Sequence, residues 1–243
     1  MTFGRGLRPL SIASAVLITG AFALVFFYAP NDADQGFVQK IFYLHVPLAI
    51  VALCGFVAGG IYGILYLRSN DRAHDLRSYV AIHISLIFAV GALITGSIWA
   101  RASWGHWWVW DEPTLVSFLI VFLLYACYQP LRFSIEDPER QARYASVFAI
   151  VAGVFVPLNF MAVRLAESLA HPRVLSTTGG AMPGDMRMTF LVSVVGMACL
   201  FVTLWKYELA AKSASIQLRS LRRRLAGDEG LAPLQRSAAP QQL

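Results

Sequence analysis

The ten residues SWGHWWVWDE at 103–112 hold four of the six tryptophans in the chain, and a fifth, Trp99, stands just upstream. What indole offers is contact: a large apolar face with one N–H donor at its edge. So many together can cover a flat, aromatic, hydrophobic partner. They can equally form an interfacial belt between lipid and water. Both readings stand on the pattern alone. Trp104, Trp108 and Trp110 cannot all face the same way as Trp107, so the segment has two sides. Gly105 permits a tight turn near its start. Asp111, followed by Glu112 and Pro113, reads as the N-cap of the next helix with proline in its first turn. Asp111 could also hold a tryptophan N–H or an arginine.

Five histidines accompany the tryptophans: His45, His74, His83, His106 and His171. The three cysteines, Cys54, Cys127 and Cys199, lie apart from one another in apolar runs. They form no C-x-x-C pair, no zinc spacing and no C-x-x-C-H for covalent haem attachment, and read as small buried hydrophobes. There is no G-x-x-x-x-G-K-[ST], so any use of ATP belongs to another subunit.

The elements that must position these residues follow from composition. The 243 residues are 57% hydrophobic and only 14% charged, against about 25% charged in soluble proteins. Apolar blocks at about 10–29, 44–67, 79–99, 114–131, 144–163 and 188–207 are each long enough to cross a bilayer. The predicted fold is all-α: a polytopic integral membrane protein with six transmembrane helices. The first block has no small-residue cleavage site and reads as a retained helix. Residues 1–207 form the membrane domain, with the tryptophan-rich loop at about 100–113. Residues 208–243 form a basic tail, able to lie on a membrane surface or a partner or to stay solvated, with 226–243 expected to be disordered.

Lysine and arginine set the orientation. Arg5, Arg8, Arg68, Arg72, Arg77, Arg132, Arg140, Arg143 and the basic tail share one side. The other side carries only Lys40, Arg101, Arg164, Arg173 and Arg187. Both termini are therefore expected in the cytoplasm. The tryptophan loop, His45 at the opening of span two and His171 between spans five and six then meet at the outer face.

Residues 104–111 match W-G-x-x-W-x-W-D, the signature of the tryptophan-rich (WWD) membrane proteins that handle haem in cytochrome c maturation. "FYLHVP" at 42–47 resembles the histidine segment that opens the second span in these proteins. With its length, six spans and one histidine on either side of the loop, the chain resembles the CcmC (haem exporter protein C) family. The resemblance covers most of residues 10–207. It implies a b-type haem at the outer face of the bacterial cytoplasmic (inner) membrane, with the tryptophan loop packed on it and His45 and His171 as axial ligands. It further implies presentation of haem to the periplasmic chaperone CcmE, beside the ABC-type partners CcmA and CcmB and the small CcmD. The expected role is delivery, with no catalytic residue, and the expected contacts are lipid and these partners, with no nucleic acid.

On that reading Trp104, Gly105, Trp107, Trp108, Trp110 and Asp111 are the cofactor-binding residues. Filled axial positions keep the tryptophans off the iron, so they line the porphyrin edge or the imidazoles. Arg101, Arg164 and Arg173 are candidates to pair with the propionates, Arg101 first because it borders the loop. His106 fills a variable motif position and is a minor candidate for haem contact. His74 is expected to be solvated and His83 to be hydrogen-bonded between helices. Pro157 and Asn159 read as packing or kink residues. Three rivals remain: a transporter subunit, a redox b-type cytochrome subunit and a haem lyase. The first needs polar residues at mid-membrane, which spans one, two and six almost lack. The second needs a second histidine pair, and the third is a much larger protein.

Overall fold

The computed structural model describes residues 4, 6–166 and 182–236, without the side chains of 162, 163 and 226–236. His171 and Arg173 lie outside the described residues. Among the described residues seven α-helices follow in order: α1 (Leu7–Phe27), α2 (Phe42–Ser69), α3 (Arg72–Trp104), α4 (Pro113–Ala126), α5 (Tyr128–Phe133), α6 (Pro138–Leu165) and α7 (Gly184–Arg236). A short 3-10 turn at Phe37–Ile41 leads into α2, and no strand forms among the described residues. Among the described residues six helices are long and apolar enough to span a membrane, α4 and α5 together making one of them. They coincide with the six blocks read from the sequence. The protein is an all-helical, multi-pass membrane protein.

α2 is the hub, packing against α3, α6 and α7, while α1 packs on α7 and α4 on α6. In lipid, helix contacts are won by close approach and not by hydrophobic exclusion, so small residues mark the seams. A Cβ on Gly60 would stand 2.9 Å from the carbonyl oxygen of Ala149, and one on Gly63 would stand 2.9 Å from that of Ser146. Ala145, Ala149 and Ala152 of α6 are correspondingly buried in the core with Ala52 and Phe56 of α2. α1 is tied to α7 by a buried hydroxyl pair, Ser14 and Thr203, at 2.8 Å.

Two polar devices fix the approach to α2. The Lys40 ammonium is buried and donates to the carbonyls of Val25 (2.8 Å) and Ala29 (3.2 Å), so a cation closes the C-terminal end of α1. The Asp32 carboxylate accepts from the backbone N–H groups of Asp34 and Gln35, an Asx-type turn that brings Gln35 round towards α3.

The structure corrects three expectations. Cys54 and Cys127 are exposed on the bundle surface and Cys199 is half-buried; the apolar environment that their sequence context signals is that of lipid-facing helix sides as much as of a core. His74 is half-buried: it stacks on Tyr62 at 6.2 Å and its Nδ1 lies 3.3 Å from Arg77 Nη1, because the end of α3 on which it sits packs back against α2. α7 does not stop at the membrane boundary, and its helix runs to Arg236, past the start of the segment expected to be disordered. At 1.5 Å per residue its 53 residues reach about 80 Å, well beyond a hydrocarbon core of about 30 Å. His83 does bridge helices, its Nδ1 accepting from Gln129 Nε2 at 3.3 Å.

Candidate functional site

α3 carries the tryptophan segment to the end of the bundle and stops there. Gly105 ends the helix in the left-handed conformation (φ 79°), where a residue with a Cβ is strained. Arg101 Nη1 donates to the Gly105 carbonyl, so this arginine caps the helix end and stays exposed. The chain then crosses to α4 through residues 105–112. The N-cap of α4 is Glu112, not Asp111: Glu112 has extended backbone dihedrals, Pro113 takes the first helical position and Asp111 is exposed one residue earlier. Glu112 is fully buried, a feature that the sequence reading passed over.

Between this loop and α2, α3, α4 and α6 lies an open cavity of about 250 Å³. Its wall is mostly apolar and aromatic, with Phe42, Trp99, Trp104, Trp108, Phe118 and Phe160 among the lining residues. The two-sidedness of the loop is resolved here. Trp104 and Trp108 line the cavity, whereas Trp107 and Trp110 are 61% and 71% exposed. Trp110 meets Trp108 edge to face at 6.0 Å. Trp99 is buried beneath the rim, where its Nε1–H donates to Gln35 Oε1 at 2.7 Å, and the Ser103 hydroxyl donates to the same oxygen at 3.2 Å. The Asp32 turn thus brings Gln35 to brace the two final turns of α3.

His45 is the histidine among the described residues that line the cavity. Its Nδ1 lies 2.9 Å from the Ala92 carbonyl oxygen and 3.3 Å from Thr95 Oγ1. A carbonyl can only accept, so Nδ1 carries a proton, and in the neutral ring the lone pair is on Nε2. Thr95 Oγ1 spends its own hydrogen on the carbonyls of Gly91 and Ala92, which leaves it an acceptor for the same Nδ1–H. The ring sits where α3 has no side chain: a Cβ on Gly96 would come within 2.7 Å of its Cε1. Trp99 closes on it edge to face at 5.9 Å.

Of the other residues singled out by sequence, Asn159 and Arg164 of α6 line the cavity, while Arg101, Gly105, His106, Trp107, Trp110 and Asp111 do not. Asn159 Nδ2 donates to the Ser117 carbonyl across to α4 at 3.3 Å. The Trp108 Nε1 donor is buried and has no acceptor among the described residues. Among those residues no three His, Cys, Asp or Glu side chains stand together as a metal cluster. Gln35 and Gly96 carry no catalytic signature in sequence, and only the tertiary contacts reveal them.

The sequence model of the family described as CcmC, Heme exporter protein C, matches residues 1–225. This chain belongs to the CcmC family. It is similar to the Heme exporter protein C of Rhodobacter capsulatus, 32% identical over 226 residues that cover 92% of this chain and 93% of the relative. The Paracoccus denitrificans protein of the same name is 31% identical over 206 residues (84% and 85%), and that of Escherichia coli K12 is 30% identical over 197 residues (80% and 78%). The CcmC match thus spans all six membrane helices and the loop that roofs the cavity.

Proposed function

We propose that this protein holds a b-type haem as cargo in the cavity beneath the tryptophan loop and presents it to the periplasmic chaperone CcmE during cytochrome c maturation. The observation that carries the reading is the contact of His45 Nδ1 with the Ala92 carbonyl of α3. That Nδ1–H is committed to α3, and in the neutral ring the lone pair needed for iron is on Nε2 of a ring that lines the cavity. A ligating histidine held through its other nitrogen is the usual arrangement at metal sites. The mostly apolar wall suits a flat macrocycle, and the names of the relatives, heme exporter protein C, agree with it. No C-x-x-C-H is present, so the haem is held non-covalently.

His171 is the second axial ligand on this reading, and Trp104 and Trp108 pack at the macrocycle. Trp107, Trp110 and Asp111 belong to the outward side of the loop, towards the approaching chaperone. The arginine asymmetry supports placing the cavity on the outer face of the bacterial inner membrane, with both termini in the cytoplasm. The protein delivers and does not catalyse; ATP use falls to the CcmA and CcmB partners, with CcmD beside them.

The test is an absorption spectrum of the purified full chain loaded with haem. His45→Ala and His171→Ala should each lose the low-spin, two-imidazole spectrum. A low-spin spectrum unchanged in both variants would remove the ligand assignment.

A further inference from the structure

α7 leaves the bundle as the same helix that crosses it, Gly184–Arg236. A helix that spans a bilayer and continues without a break projects from it and does not lie along its surface. The root of the projection is fixed. Leu209 is buried in the core, and the Trp205 Nε1–H donates to the Arg77 carbonyl at 3.3 Å. The Lys212 ammonium pairs with Glu208 at 2.9 Å and stands 4.9 Å from the Tyr79 ring centroid. Beyond this root, from Ala214 to Leu225, every side chain is exposed. The stretch reads ASIQLRSLRRRL, with four arginines, two serines and a glutamine. Its medium is water, so an exposed leucine here does not face lipid.

Leu218, Leu221 and Leu225 stand three and four residues apart, and Ala211 and Ala214 continue the row back towards the bundle. That spacing places all five on one face of the helix, as in the seam of a two-helix coil. The leucines are 50%, 55% and 64% exposed, so the seam has no cover within the described chain. Arg222 and Arg224 flank it, Arg219 and Arg223 lie behind, and no acid occurs from Leu209 to Leu225. Residues that flank such a seam meet the flanks of the partner helix, where opposite charges pair and like charges repel. A second copy of this chain would bring four arginines against four. We propose that residues 211–225 of α7 are a docking surface for an amphipathic helix of another protein, leucine-rich on its contact face and acidic on both flanks. The surface stands at the end of the bundle that holds the α2–α3 turn, so a partner there leaves the aromatic cavity uncovered.

The experiment titrates the full-length chain, in nanodiscs of phosphatidylcholine, with two synthetic helices. Both carry leucine at the seam spacing; one has glutamate on its flanks and the other lysine. The acidic helix should bind at least about 10-fold more tightly, and its affinity should fall as salt is raised. Leu221→Ser should weaken that binding by about 10-fold. The double variant Arg222→Glu, Arg224→Glu should invert the preference, so that the basic helix binds better. Both variants lie beyond the buried root of α7, and either one tests the surface if the other does not fold. Absence of binding by both helices, equal binding of the two, or a preference unmoved by charge reversal overturns the proposal. Self-association of the wild-type chain that Leu221→Ser abolishes also overturns it and gives the seam to a second copy. None of these outcomes bears on the haem-binding reading, which the spectra test separately.

Discussion

The two ends of the bundle solve opposite problems. At the end that holds the α2–α3 turn, polar groups close on one another. Arg132 meets Asp75 through two bonds of 2.7 Å, both residues buried, and the cations of Arg132 and Lys212 each stand 4.9 Å from the Tyr79 ring centroid. Tyr62 stacks between His74 and Trp205. At the other end the side chains stand back from one another around an aromatic-walled cavity, and the Trp108 N–H has no acceptor among the described residues. One end holds the helices together. The other keeps room for a guest, at the cost of contacts that a filled core would make.

That contrast can be broken by substitution. The largest effect should come from Asp75→Ala, which strands the Arg132 charge in a buried setting. A loss of about 3–5 kcal/mol is expected, read as a fall in thermal stability in detergent, with haem affinity of the folded fraction unchanged. If haem affinity fell as far as stability, the two ends would not be separable.

Gly96→Ala should follow. The new Cβ must push the His45 ring or part α2 from α3, a strain of about 1–3 kcal/mol. Haem retention should drop about 10- to 100-fold, the range for disturbing a ligand's support. A normal spectrum in a folded Gly96→Ala protein would show that the ring position is not critical.

Within the loop, Trp108→Ala and Trp110→Ala sharpen the same division. Removing a wall ring should cost about 0.5–1.5 kcal/mol of haem affinity beyond the lost contact area. Removing the exposed Trp110 should change affinity by less than about 0.5 kcal/mol, and any defect should appear in transfer to the chaperone. Equal losses from both would favour an interfacial belt.

The most local effect is expected from Gln35→Ala, which frees the Trp99 N–H and the Ser103 hydroxyl at the rim. About 1 kcal/mol of stability should be lost, visible as faster amide exchange in the last turns of α3 and not as a lost spectrum.

The spans were legible because bilayer thickness imposes a length that composition alone reveals, and all six blocks reappear as helices. The meeting of His45 with the tryptophan loop was legible for the same reason: successive crossings put alternate turns at one end. The division of labour within the loop was not. Alternation showed two sides, yet after the left-handed turn at Gly105 there is no helical period to say which tryptophan faces in. Proximity in sequence pointed to Arg101, but a residue in the last turn of a helix has bare carbonyls within reach and bonds to one of them. Asp111 and Glu112 are both acids before a proline, and only backbone dihedrals separate the cap from its neighbour.

What sequence determined, then, is everything governed by the solvent: how many helices cross, which turns share a side and which rare residues crowd at one mouth. Hydrocarbon acts on each segment separately, so each segment reports on it separately. Tertiary structure decided which nitrogen of His45 keeps its lone pair, why residue 96 has no side chain and which arginine lines the cavity. Those outcomes depend on the carbonyls of one helix meeting the ring of another, a relation that no single segment encodes.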